Sequence, residues 1–145
     1  MGRIVIADRY IGSNMGHQAG KIKNQKQRQN YLRWLYNLEY KIFKIPKPDI
    51  NIILDVSPNI CFKLSDSRTI TDKDKLKRKR AYLGKKPKDI HEKDQNHLKD
   101  SYIAYKDAVK KFPKDFRIIN CMSKNKLLSP EIIHNKIWEI VKKII

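Results

Sequence analysis

The chain has little of several things. Two cysteines, Cys61 and Cys121, stand 60 positions apart, and neither belongs to a spacing typical of a metal site or a disulfide framework. Both read as small apolar core residues of a protein kept in a reducing compartment, and the expectation is cytoplasmic. No apolar run is long enough to cross a bilayer, and Arg3, Asp8, Arg9 and His17 interrupt the first twenty residues where a signal peptide needs an apolar core. Membrane and secreted classes are thereby disfavoured. Glycine is sparse, 5 in 145 residues, and no G-x-x-x-x-G-K-[ST] phosphate loop occurs. Acidic residues are also few, 15 Asp+Glu against 33 Lys+Arg, which leaves a formal net charge of +18.

What is present suits one globular domain. Hydrophobic residues make up 40% and charged residues 33% of the chain, enough apolar mass for a core. The positive excess fits polyanions or phosphate-rich ligands. Because 25 of the 33 cations are Lys, accompanied by abundant Ile and Asn, codon composition explains part of it equally well.

Three short β-branched runs read as buried strands: Arg3 to Ala7, Asn51 to Val56 and Phe116 to Asn120. Helical periods separate them. Tyr31, Leu35, Leu38 and Ile42 form one stripe, Leu98, Tyr102, Tyr105, Val109 and Phe112 another, and Ile133, Ile137, Ile140 and Ile144 a third. Ser57-Pro58 and Ser129-Pro130 supply an N-cap hydroxyl with Pro at the first helical position. Strands alternating with helices predict an α/β fold on a parallel sheet. The segment from Lys73 to Lys88 differs in kind: nine cations against Asp74 give it +8, and it reads as a solvated surface stretch.

Chemistry concentrates after the first strand. Asp8-Arg9-Tyr10 stands at its carboxyl end, where parallel sheets bind ligands, and Asp with Arg there suits a metal or proton and a phosphate respectively. On the residues alone an ion pair tying strand to helix serves as well. The loop continues as Ile11-Gly12-Ser13-Asn14-Met15-Gly16-His17-Gln18, whose amides match the edge of a nucleobase. Lys47 to Pro58 then combines a helix stop, a strand and a capped helix, and Asp89-Ile90-His91-Glu92-Lys93-Asp94 opens a Tyr-rich helix.

In order and spacing this succession resembles thymidylate kinase, a P-loop nucleoside monophosphate kinase, along essentially the whole chain. The resemblance implies transfer of the γ-phosphoryl group of ATP, with Mg²⁺, to dTMP. By the same resemblance Arg9 grips the acceptor phosphate, Asp8 lies near metal and substrate, and Asn14, His17 and Gln18 fall in the thymine and deoxyribose pocket. His17 stands where such kinases often carry Tyr. Glu92 resembles a carboxylate that organises the substrate, although Ile90 replaces the Arg often found two residues earlier. The basic stretch, about residues 68–90, becomes a lid with Arg68, Arg78 and Arg80 as charge stabilisers, which makes a nucleotide a better partner for it than nucleic acid. Trp34 becomes a possible homodimer contact.

The fold so implied is a three-layer P-loop architecture that is incomplete. Three strands are expected, and the phosphate-loop strand, which in the family lies between the strands matching Arg3 to Ala7 and Asn51 to Val56, is missing. Residues 1–145 then read as part of a kinase domain, inactive until an N-terminal P-loop segment or partner chain is supplied. A noncatalytic basic nucleic-acid-binding module and a related deoxynucleoside kinase are the alternatives.

Overall fold

The computed structural model describes residues 3–71 and 87–145, with side chains outside 65–71 and 87–94. Helix α1 (Ile11–His17) leads through a 3₁₀ turn, Ala19–Lys21, into α2 (Gln25–Asn37), capped by the Asn24 side chain accepting from the Gln27 N–H. A π-helical turn, Leu38–Ile42, ends this arm. Strand β1 (Asn51–Asp55), α3 (Pro58–Thr71), α4 (Pro87–Lys111) and β2 (Phe116–Asn120) follow. A two-residue hairpin, β3 (Met122–Ser123) and β4 (Lys126–Leu127), precedes α5 (Pro130–Val141).

β1 and β2 pair in parallel, Asn51 opposite Phe116 through Asp55 opposite Asn120. The expected third strand does not form: residues 3–7 belong to no strand, and Ile4, Val5 and Ile6 are 67%, 85% and 91% exposed. The cause is local. A strand exists through the N–H and C=O partners a neighbour supplies, and among the described residues no strand pairs with either this segment or the outer edge of β1. The parallel α/β reading holds, on two strands instead of three.

The core lies among helices. Ile11, Met15, Ala19, Leu32, Leu35, Ala104, Ala108 and Phe116 are buried together. The face of α4 that enters it centres on Ser101, Ala104 and Ala108, one position round from the expected stripe of larger residues. Small residues are needed there because α1 and the 3₁₀ turn after it come very close: a Cβ on Gly16 would overlap the Tyr105 ring, and one on Gly20 would lie 3.0 Å from the Ser101 backbone nitrogen. An ion pair inside this layer, Arg28 Nε donating to Asp107 Oδ2 at 2.7 Å, joins α2 to α4. The other guanidinium arm of Arg28 donates to the Ile22 carbonyl at 2.7 Å.

The C-terminal helix is attached more lightly. Ser129 caps it as expected, accepting from the Ile132 N–H, with Pro130 next. None of its residues is fully buried, and Lys136 ties it to β2 by donating to the Asn120 carbonyl at 2.8 Å. Cys121 is buried; Cys61 is only half-buried, short of the full burial expected for it.

Candidate functional site

A cavity of about 270 Å³ opens at the carboxyl end of β1. One wall is β1 with the residue after it, Ile52 to Val56, and Ile118 of β2 beside it; the other is α4, through Leu98, Tyr102 and Tyr105. Pro58 and Cys61 of α3 and His17 of α1 close the ends. The strand delivers these residues because it is short and apolar, and its last residue, Asp55, emerges where the chain turns into α3 at Ser57-Pro58. Asp55 Oδ2 accepts from Lys106 Nζ at 2.5 Å, and the ammonium lies 5.1 Å from the Tyr102 ring centroid. The Lys106 charge is thus already compensated. Burial pushes the Cys61 thiol above its usual range, so at neutral pH it is a weak nucleophile.

His17 is the one member of the Asn14–His17–Gln18 set that lines the cavity; Asn14 and Gln18 are exposed. Its Nδ1 is 3.3 Å from His97 Nε2 and 3.5 Å from Ser101 Oγ, and its ring stands edge-on to Tyr105 at 5.9 Å. Burial above all, then the Arg9 guanidinium and then His97, hold the His17 pKa below the usual imidazole range. A neutral ring there can donate or accept a single hydrogen bond at each nitrogen.

Asp8 and Arg9 sit on the exposed turn before α1. Arg9 has a left-handed backbone, φ 70°, a conformation that a non-glycine residue adopts at a cost unless its surroundings impose it. Its Nε donates to Ser13 Oγ at 2.8 Å, and the following Tyr10 hydroxyl donates to the Pro46 carbonyl at 3.0 Å. Turn and helix are so fixed together, with the guanidinium outside the cavity and near His17. Arg68 falls on α3 and Glu92 on α4, at positions whose side chains lie outside the described residues; Arg78 and Arg80, with most of the 68–90 stretch, lie outside them altogether.

Several contacts at the site were not readable from sequence. His97, Ser101 and Lys106 reach it from α4, where their i, i+4 and i+9 spacing was hidden behind the larger aromatic stripe. The spacing itself was the available signal, since 97, 101 and 105 share one helix face.

Among the described residues no triphosphate cradle forms. Gly16-His17-Gln18-Ala19-Gly20-Lys21 is the nearest string to a phosphate loop, and its glycines serve the contact of α1 with α4. Among the described residues no group of three or more His, Cys, Asp or Glu side chains converges as metal ligands. No helix among them is long and apolar enough to cross a membrane.

Comparison with known proteins adds an independent line. No family model and no solved structure matches the chain. Among curated proteins it is similar to the thymidylate kinases of Rickettsia rickettsii, strains Sheila Smith and Iowa, and of Rickettsia conorii. Each is 26% identical over 142 residues, which is 98% of this chain and 55% of the relative. The chain spans about half the length of the curated relatives it matches.

Proposed function

We propose that this chain is the acceptor-side portion of a thymidylate kinase-like enzyme, transferring the γ-phosphoryl group of ATP to dTMP and giving dTDP. The observation that carries the reading is the similarity to thymidylate kinases along 98% of the chain. The fixed turn Asp8-Arg9-Tyr10 beside a cavity at the carboxyl end of a parallel strand supports it. At that turn Arg9 holds the acceptor phosphate by its forked N–H donors, and Asp8 stands by to orient the substrate or its metal. Asn14, His17 and Gln18 present donors and acceptors to the base and sugar. Glu92 assists from α4, and Arg68, Arg78 and Arg80 belong to the cationic segment that closes over the phosphates. Phosphoryl transfer depends on alignment and on cations where charge spreads, so this division of labour asks little covalent chemistry of the chain.

ATP and Mg²⁺ are the implied donor and cofactor. The described residues offer them no cradle, so the donor site is assigned to a P-loop segment, supplied in the same protein or by a partner, completing a three-layer fold. Alone, the chain is expected to be inactive.

The test is ADP formation from ATP and dTMP by the chain mixed with a P-loop-bearing thymidylate kinase segment. Activity should appear in the mixture and fall by two or more orders of magnitude in Arg9→Ala, which removes a charge contact to the transferred group. If no combination exceeds the Arg9→Ala background, the reading fails. Thymidine accepted in place of dTMP would move it to a deoxynucleoside kinase.

A further inference from the structure

The His17 ring has one nitrogen engaged and one open. Its Nδ1 faces two groups one turn apart on α4, His97 Nε2 at 3.3 Å and Ser101 Oγ at 3.5 Å. Among the described residues its Nε2 has no hydrogen-bond partner, and no side-chain nitrogen or oxygen shut off from solvent lacks one. Nε2 is therefore reached by solvent, on a ring that lines the cavity. Ser101, 3% exposed, belongs to the same lining, whereas His97 does not and acts through His17. Elsewhere in the lining Asp55 and Lys106 satisfy each other, and Ile52, Ile53, Leu54 and Leu98 are apolar. An uncompensated polar point thus stands at the end that His17 and Ser101 form.

The Arg9 guanidinium is near enough to depress the His17 pKa. On the acceptor reading Arg9 holds the phosphate, and in a nucleoside 5′-monophosphate the sugar follows the phosphate after one ester oxygen and one methylene. The polar group beside Arg9 then meets sugar. We propose that His17 Nε2 and Ser101 Oγ bind the sugar-hydroxyl edge of the acceptor, with His97 as positioning residue, so that the site takes ribonucleoside as well as deoxyribonucleoside 5′-monophosphates. The inference rests on the acceptor reading and names the sugar class that this site admits. His97 matters because the bond made by one imidazole nitrogen fixes the tautomer and orientation that the other presents. Whichever ring of the pair carries the shared proton, Nε2 is left in one defined state, and a hydroxyl, which both donates and accepts, pairs with it in either. A deoxyribose leaves Nε2 to water, which the open cavity supplies, so deoxyribonucleotides bind too. The 2′-hydroxyl adds one net hydrogen bond, a preference of about three- to tenfold.

The experiment titrates the full chain, mixed with the P-loop-bearing segment, with dTMP and with 5-methyluridine 5′-monophosphate, which differ only in the 2′-hydroxyl. Calorimetry should show the ribonucleotide bound about three- to tenfold more tightly. His97→Leu should bring the ratio to about one while leaving the dTMP dissociation constant and the circular dichroism spectrum unchanged, and His97→Gln, whose amide can again hold Nδ1, should restore it. Ser101→Ala should lower the ratio in part. A ribonucleotide bound no more tightly than dTMP by the wild-type chain overturns the inference alone. So does a preference that persists in both His97→Leu and Ser101→Ala, or a His97→Leu change that weakens both nucleotides alike, which would give His97 a structural role only. If neither nucleotide binds, and Arg9→Ala behaves as wild type, the acceptor reading itself fails and this inference falls with it.

Discussion

The helical layer of α1, α2 and α4 and the two-stranded sheet are built from comparable sequence, yet they are finished to different degrees. In the layer, Gly16, Gly20, Ala104 and Ala108 let backbones approach, Leu32 and Met15 fill the space, and a buried ion pair is satisfied on both sides. In the sheet and beside it, apolar residues as good as any in the core remain in contact with water, Leu54 on β1 and Ile4 and Val5 in the unpaired segment before α1. Hydrophobicity alone does not decide burial. A helix carries its own hydrogen bonds and needs only a face to lie against, whereas a strand needs a neighbour before its side chains have anywhere to go.

The sharpest way to break this contrast is to damage the finished half. Arg28 and Asp107 are both below a tenth exposed, so deleting one leaves the other charge buried without its partner. Arg28→Ala is expected to cost about 3–5 kcal/mol, the range for breaking a buried pair. Urea unfolding followed by helical circular dichroism measures it. A loss under 1 kcal/mol would mean that water reaches Asp107 and that the layer is looser than its geometry implies.

A smaller effect tests the close approach itself. In Gly20→Ala the new methyl meets backbone of α4, which cannot swing aside, and a cost of about 1–3 kcal/mol is expected from overpacking. Gly16→Ala would set its methyl well inside contact distance of Tyr105 Cζ, which lies on the ring's own rotation axis, so the whole side chain must swing away; a cost in the same range is expected, together with a reshaped cavity wall where Tyr105 now stands. If both substitutions were neutral, the approach of α1 and its following 3₁₀ turn to α4 would not be set by these glycines.

The same contrast explains which features were legible. β1 and β2 were readable because each is a compact apolar run that finds a partner, and α5 because Ser129-Pro130 announces its start. Arg3 to Ala7 carries the same strand signal, but pairing is a property of two segments and no single run reveals whether the second exists. The large residues of α4 do meet β1 and the core, through Leu98, Tyr102 and Tyr105 on one side and Val109 and Phe112 on the other, but the adjoining face of Ser101, Ala104 and Ala108, which makes the closest contact, was overlooked because large residues draw attention while such a contact selects small ones. The hairpin β3–β4 was missed although Lys124 and Asn125, with φ 45° and 61°, make the left-handed two-residue turn that such hairpins use; only Asn125 signals it in sequence. Of the proposed site, the turn from Asp8 to Tyr10 was visible as a motif. Its fixation by Ser13 and Pro46 was not, because Pro46 is distant in sequence.

The smallest expected effect lies where the finished layer meets the unfinished sheet, at His17. Burial, then Arg9, then His97 lower its pKa in the folded chain relative to the unfolded value near 6.5. Between those two values the unfolded chain binds more protons, so stability must rise with pH across that interval. The contribution is complete above about pH 6.5 and is lost as pH falls toward the folded-state value; below it the penalty no longer grows. His17 is partly open to solvent, which keeps the effect below the two above. It should nevertheless be local: protonation removes an acceptor from the His17–His97 contact and sets a second positive charge beside Arg9, so α1 should loosen from α4 before α2 does. Ring titration by NMR alongside amide exchange in α1 tests this, with His17→Asn flattening the pH dependence and Arg9→Gln moving the titration upward by removing the second cause. A His17 ring that titrates at or above 6.5 would show that the junction is wet, and that the cavity extends between the helices instead of stopping at the strand edge.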